Sequence, residues 1–312
     1  MPSFRFALLT AATALSACGV VARPSTRPEP TGPAAGAATG GPSTAGPWRV
    51  AASYAPQGVT IATRAVVVIT GDPSTRTDTL GATLDATYSW TPGGPASGTP
   101  GAPARPAGGA GGAGGPSRRR VTGSLTSYRV AVGGAAPTVP AGLKLAHPFT
   151  AEALPADGTM AFQLPAENSA CTDPALSVLQ GMHEAWIPLP ETLTIGREWS
   201  DTTLTLSCRD QLAVRGVNVR QFRVQRADVE NSRVVVTIER RAKGRMTAEG
   251  EQFGEAVSLN GESNGTMRYV LDVASGRLLR ATGTSWLDFT FKSRRRNQRV
   301  QQSSELTLAW KL

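Results

Sequence analysis

The motif most suggestive of catalysis is the run Gly261-Glu262-Ser263-Asn264-Gly265. It matches the Gly-x-Ser-x-Gly pattern, in which a serine nucleophile lies on a sharp turn between a strand and a helix. Such a serine needs a histidine base later in the chain, and no histidine follows His183. From Thr266 onward the residues alternate as in a strand. We therefore interpret the run as a polar turn.

Other catalytic or metal-binding arrangements find no support in the sequence. The two histidines are His147, which precedes Pro148 in an extended segment, and His183, which lacks the second histidine of a zinc-binding helix. We expect His183 at the surface or at a helix cap. No sequence motif supplies the two carboxylates of a glycoside hydrolase. A pair that is distant in sequence and meets only in the fold, such as Asp201 with Glu239, is the alternative. The sequence predicts no enzyme, no metal site and no cofactor.

The N-terminus indicates a covalent modification. Arg5 precedes an apolar stretch over 6–15, which is too short for a permanent transmembrane helix and ends in Leu15-Ser16-Ala17-Cys18. These residues resemble the lipobox of bacterial lipoprotein precursors. The resemblance implies cleavage after Ala17, a diacylglycerol on the Cys18 thiol and acylation of the new amine.

Lipidation would anchor the exported chain to a bacterial membrane. Residue 19 is glycine, whereas an aspartate there often signals retention at the inner membrane in such lipoproteins. The resemblance therefore implies the outer membrane, with the protein facing the periplasm. An ordinary secretory signal with an unmodified Cys18 is the alternative.

If Cys18 carries the lipid, two cysteines are left, Cys171 and Cys208. In an oxidising envelope we expect them to form one disulfide. On the chain-entropy model such a bridge contributes about 4 kcal/mol to stability. Two buried free thiols are the alternative.

Two segments are too rich in Pro, Gly, Ala, Ser and Thr to bury an apolar core, and we expect both to be disordered. Residues 18–47 form a lipidated tether that follows the signal peptide 1–17. Residues 91–117 form an insertion within a β-rich domain that spans 48–312.

The formal net charge is +9, with basic runs at 118–120 and 292–296. Nucleic acid is not an expected partner outside the cytoplasm. The basic runs are interpreted as solvated strand ends and turns, and contact with an anionic membrane or polysaccharide surface is the alternative.

Alternation of apolar and polar residues with a period of two predicts an antiparallel sheet. Ser275-Gly276 is typical of a hairpin turn. Gly283 and Ser285 form a gap of small residues on an otherwise apolar strand face, which indicates a bend or a close backbone approach. The large residues of that face are Leu279, Leu287, Phe289 and Phe291. The predicted strands are 59–70, 79–90, 119–132, 201–208, 218–226, 233–240, 266–273, 277–291 and 304–312.

One helix is predicted beside Cys171, with Asp173 as its N-cap and Pro174 in its first turn. Apolar residues follow at helical spacing: Leu176, Leu179 and then Met182 or Trp186. We expect this helix to lie across the sheet.

Two stretches, 188–201 and 269–279, resemble segments of the half-barrel fold of bacterial lipoproteins and lipoprotein carriers. In the first, two prolines and Gly196 precede Trp199. In the second, Asp272 and Gly276 form a hairpin. The resemblance implies a mainly β fold, a curved antiparallel sheet (half-barrel or open barrel) with one or two short helices.

Two functions are consistent with these features. One is a non-enzymatic module that binds a lipid or another apolar ligand on the concave face of the half-barrel. The other is a structural or protein-interaction module of the envelope with a filled core. An apolar cavity of at least about 300 Å³ would favour the first, and a filled concavity the second.

Overall fold

The computed structural model describes most of the chain from residue 44 onward. The described residues are 44–50, 56–71, 74–92, 119–140, 148–154, 159–162, 171, 180–209, 212–252, 254–294 and 297–311. The predicted signal peptide with Cys18, the first part of the tether and most of the predicted insertion lie outside these ranges. Thr91 and Pro92, which we placed in the insertion, belong to a strand.

The fold is mainly β, as predicted. The strands are β1 (Trp48–Arg49), β2 (Gln57–Gly71), β3 (Ser74–Pro92), β4 (Arg119–Val132), β5 (Pro148–Leu154), β6 (Thr159–Phe162), β7 (Thr192–Leu193), β8 (Glu198–Arg209), β9 (Leu212–Glu230), β10 (Arg233–Gln252), β11 (Glu255–Asp272), β12 (Arg277–Ser293) and β13 (Asn297–Lys311). A 3₁₀ helix spans Gln180–Ala185.

Nine long strands form one curled antiparallel sheet, a half-barrel, in the order β8-β9-β10-β11-β12-β13-β2-β3-β4. The short strands β5 and β6 lie between the two edges. β5 pairs with β4 along Arg119–Ser124 only, and β6 pairs with β8 in parallel at two positions. The strand order therefore closes into a ring, although the two edge strands share only short stretches of pairing with β5 and β6.

All nine predicted strands are present, and several are longer than predicted. The hairpin at Ser275-Gly276 is confirmed, and Gly276 has the positive φ of 65° that such a turn requires. The interpretation of 261–265 as a turn is wrong, because these residues lie in the middle of β11. The predicted position of Leu279 is also wrong. A register shift between Val270 and Leu271 pairs Leu271 with Leu278, and Leu278 is the buried residue.

The inner face of the half-barrel carries two large apolar clusters at opposite ends. The upper end, where β1 and the Gly276 turn lie, contains the larger cluster, with Tyr269, Leu308 and Trp310. The lower end, where β8 reaches Cys208, contains a second cluster with Leu259 and Phe289. Small or polar side chains line the inner face between them: Asn218, Ser263, Gly265, Ser285, Gln302 and Ser304.

The predicted helix is only partly within the described residues. Residues 172–179, which include Asp173, Pro174, Leu176 and Leu179, lie outside them. The part that is described is the 3₁₀ helix Gln180–Ala185, and it contacts β2 and β8. Both Met182 and Trp186 belong to the upper apolar cluster. No helix within the described ranges is long and apolar enough to cross a membrane.

Gly283 lies close to the backbone of β11, which is one of the two arrangements that its position in the sequence indicates. A Cβ atom at Gly283 would lie 2.2 Å from the backbone oxygen of Thr266 and 2.3 Å from the sulfur of Met267. Replacing Gly283 with alanine is therefore expected to lower the free energy of unfolding by about 1–3 kcal/mol.

Gly81 is the matched control for this substitution, because it is also a strand glycine and a Cβ there would meet only the Ala131 Cβ at 3.8 Å. Gly81→Ala should leave stability unchanged or raise it slightly. Urea denaturation of the two variants provides the comparison. Equal midpoints would contradict the assigned packing around Gly283.

Candidate functional site

A segment of the chain occupies the concave side of the half-barrel. This inner segment comprises Gln180–Glu191, that is, the 3₁₀ helix and the residues that lead to β7. Met182 and Ala185 are completely buried and Trp186 is 1% exposed. The ring of Trp186 meets Tyr88 of β3 edge-on, with ring centroids 5.8 Å apart. The upper half of the concavity is thus filled by the protein's own side chains.

The first attachment of the inner segment to the sheet is a buried ion pair. Arg240 of β10 donates from Nη1 to both carboxylate oxygens of Glu184, at 2.9 and 2.7 Å. Tyr269 of β11 donates its hydroxyl to the backbone oxygen of Glu184 at 3.0 Å. Arg240 is 1% and Glu184 4% exposed, so neither charge is solvated by bulk water. Each charge is therefore stabilised by the other.

The second attachment is centred on Arg220 of β9. Its Nε donates to Asp201 Oδ1 at 2.7 Å, and its Nη2 donates to the other oxygen of the same carboxylate. Nη1 donates to the backbone oxygen of Trp186 at 3.2 Å. The Arg220 guanidinium lies 5.4 Å from the ring centre of Phe222, which stacks on Trp199. This bidentate geometry fixes the guanidinium plane toward the inner segment.

These contacts define a buried ion-pair cluster of Glu184, Asp201, Arg220, Arg240 and Tyr269. Both carboxylates are paired with guanidinium groups, so the cluster attaches the inner segment to the sheet. The carboxylate pair of Asp201 with Glu239, which the sequence left open, is not formed. Glu239 lies on the outer face and bonds to Arg241 at 2.9 Å.

The tether joins the fold at the same upper end. Trp48 of β1 pairs with Leu193 of β7, and Trp48 is 8% exposed. Beyond β1, the amide of Val50 donates to the backbone oxygen of Glu191 at 2.9 Å. The N-terminal chain is therefore bound to the C-terminal end of the inner segment.

Two tyrosines lie in the interior close to this arrangement. Burial raises the pKa of Tyr88, although the hydrogen bond that its oxygen accepts from Trp310 Nε1 at 2.8 Å opposes the shift. Burial alone raises the pKa of Tyr128, whose hydroxyl has no hydrogen-bond partner in the described part of the chain. Both phenols therefore stay protonated at neutral pH.

The remaining predicted site residues fall in different places. Cys171 and Cys208 form the predicted disulfide, with Cα atoms 4.9 Å apart. Ser263 is buried on the inner face of β11, where its hydroxyl bonds to Asn218 at 3.4 Å. His147 lies outside the described residues, as does the side chain of His183. Within the described ranges, no cluster of three or more His, Cys, Asp or Glu residues could hold a metal ion.

Searches of protein-family models, curated proteins and solved structures found no match for this chain.

Proposed function

We propose that this protein is a lipid-anchored, non-enzymatic module of the bacterial cell envelope. In this proposal the half-barrel is a rigid body with a filled interior that acts through its outer surface, as a structural or protein-interaction module. The observation that carries the proposal is the burial of Met182, Ala185 and Trp186 on the concave side. An acyl chain entering the upper half of the concavity would have to displace this segment, and two buried arginines hold it in place.

The proposed anchor is the diacylglycerol on Cys18, at the outer membrane and facing the periplasm. The lipobox-like residues support the anchor, and the attachment of the tether through Trp48 is consistent with it. Membership of the half-barrel lipoprotein and carrier superfamily is part of the proposal. The nine-stranded half-barrel and the two sequence stretches support it.

A filled interior has a direct test. The full chain carrying Cys18→Ser would be purified, incubated with a bacterial lipid extract and measured by native mass spectrometry. The proposal predicts protein without bound lipid, together with reproducible recovery of a protein partner when the lipidated chain is crosslinked in cells. A stoichiometric lipid adduct, or crosslinking that repeatedly recovers no partner, would contradict it.

Binding of a lipid or other apolar ligand is the second candidate, and one observation favours it. Four apolar residues near the lower end, which pack beside Ala65, Val67 and Leu80, are only partly buried: Ile69, Val130, Val132 and Val300. Next to them, the edge of β4 that faces away from β3 has no strand partner beyond Ser124 within the described chain, except a single bridge from Val130 to Thr138.

The same mass spectra separate the two candidates. Replacing Val300 with asparagine adds polarity beside Ile69, its cross-strand partner, without touching the inner segment. A fatty-acid adduct that forms with the Cys18→Ser chain and is lost on Val300→Asn would establish the second candidate. An adduct that survives Val300→Asn would place the ligand elsewhere.

A further inference from the structure

An apolar patch lies on the outer face of β8 and β9. This outer patch consists of Leu204, Val217 and Val219, which are 48%, 45% and 45% exposed. Leu204 is the direct cross-strand partner of Val217, and Val219 follows two positions along the same face of β9. Outward positions of a half-buried sheet are normally polar, so three adjacent large apolar side chains form a candidate contact surface.

Cations border the outer patch on its β10 side. Val217 pairs with Arg245 and Val219 pairs with Lys243. Both cations are exposed, and neither forms an ion pair with another described residue. Glu262 is the cross-strand neighbour of Arg245 on β11, and it makes no salt bridge with that arginine. The surface therefore presents apolar side chains next to two exposed cations, one of which has Glu262 as its cross-strand neighbour.

We propose that the outer patch rests on the surface of an anionic phospholipid bilayer. Apolar side chains that enter the headgroup region and cations that face lipid phosphates are the combination that holds a surface at such an interface. Each cation close to an anionic leaflet strengthens binding by about fivefold. The proposal rests on the lipid anchor of the proposed function and adds the orientation of the half-barrel.

The position of the tether supports this orientation. The tether enters at Trp48, whose partner Leu193 lies in β7, the element directly before β8. The attachment point and the outer patch are thus on neighbouring parts of the chain. If the tether over 18–47 is flexible, as its composition predicts, its root-mean-square span is roughly 30 Å, and it keeps the half-barrel near the bilayer at an effective concentration of the order of millimolar. A contact with the bilayer that is too weak to bind the untethered protein is then sufficient to orient the half-barrel.

Lysine acetylation of the lipidated full-length protein tests the proposal. The protein would be placed in vesicles of phosphatidylcholine alone or of phosphatidylcholine with phosphatidylglycerol, and acetylation would be read by mass spectrometry. Lys243 is expected to react about tenfold more slowly in the anionic vesicles. Lys311, whose side chain on β13 is 72% exposed and which lies outside both basic runs, should react equally in both. The double variant Val217→Ser/Val219→Ser should restore the reactivity of Lys243, whereas Val66→Ser, at a 43% exposed outer-face valine of β2, should not.

Flotation of the protein with both vesicle types shows whether the lipid anchor holds the protein on the membrane, independently of the outer patch. If the protein floats and Lys243 reacts equally in both vesicles, the proposal is wrong and the anchor stands. Protection of Lys243 in cells but not in anionic vesicles would identify a protein partner on the patch and would also overturn it. If the protein floats with neither vesicle type, the anchor fails and the orientation fails with it.

Discussion

Arg240→Leu is expected to lower the free energy of unfolding by about 3–5 kcal/mol, because it leaves the Glu184 carboxylate buried without a charged partner. Glu184 is 4% exposed, and among the described residues the hydrogen bond that its carboxylate keeps after the substitution comes from the Tyr269 hydroxyl, at 3.4 Å. Urea denaturation of the Cys18→Ser chain, followed by tryptophan fluorescence, measures the loss.

Arg241 supplies the matched control, because it is the next residue and also pairs with a carboxylate, but on the outer face. Its side chain is 73% exposed and lies 2.9 Å from Glu239. Arg241→Leu should change stability by less than about 1 kcal/mol. The double variant Arg240→Leu/Glu184→Leu should recover most of the loss, since it removes both charges. If Arg240→Leu lowers the free energy of unfolding by no more than Arg241→Leu does, the pair of Arg240 with Glu184 does not hold the inner segment in place.

The second large effect concerns the disulfide. Replacing both Cys171 and Cys208 with serine is expected to lower the free energy of unfolding by about 2–4 kcal/mol, because the bridge joins residues 37 positions apart and restricts the unfolded chain. The bridge also fixes the chain to the lower end of β8, nine residues before the inner segment begins at Gln180. Urea midpoints of the oxidised protein and the double variant give the difference.

Reduction provides the control for this prediction. Dithiothreitol should lower the urea midpoint of the Cys18→Ser chain and leave that of the double serine variant unchanged. If reduction leaves both midpoints unchanged, the bridge contributes nothing to stability and the stabilising role assigned to it is wrong.

Strand prediction succeeded where one face of the sheet is apolar. In β13, Leu306, Leu308 and Trp310 alternate with exposed residues, and all three are buried in the upper cluster. It failed in the middle of the sheet, where the inward residues are small or polar. Gly261, Ser263 and Gly265 face inward along β11, so the apolar alternation disappears and the pattern indicates a turn.

The buried ion-pair cluster was beyond the reach of sequence reasoning. Arg220 and Arg240 alternate along their strands like apolar residues, but an arginine is usually exposed, and no local pattern shows that it faces inward. Asp201 and Glu184 meet these arginines only after the sheet curls around the inner segment, 19 and 56 positions away in sequence. The register shift that makes Leu278 the buried residue, in place of Leu279, likewise depends on pairing with β11. The sequence of β12 alone does not indicate it.

The central claim is that Cys18 carries a lipid that anchors a filled half-barrel to the membrane. Expression of the wild type and of Cys18→Ser in a bacterial host, followed by membrane fractionation and mass measurement, tests it most directly. We expect the wild type in the membrane fraction with the added mass of the lipid, and Cys18→Ser soluble in the periplasm with the half-barrel folded. Retention of Cys18→Ser in the membrane fraction, or a wild-type protein without lipid, would contradict the claim.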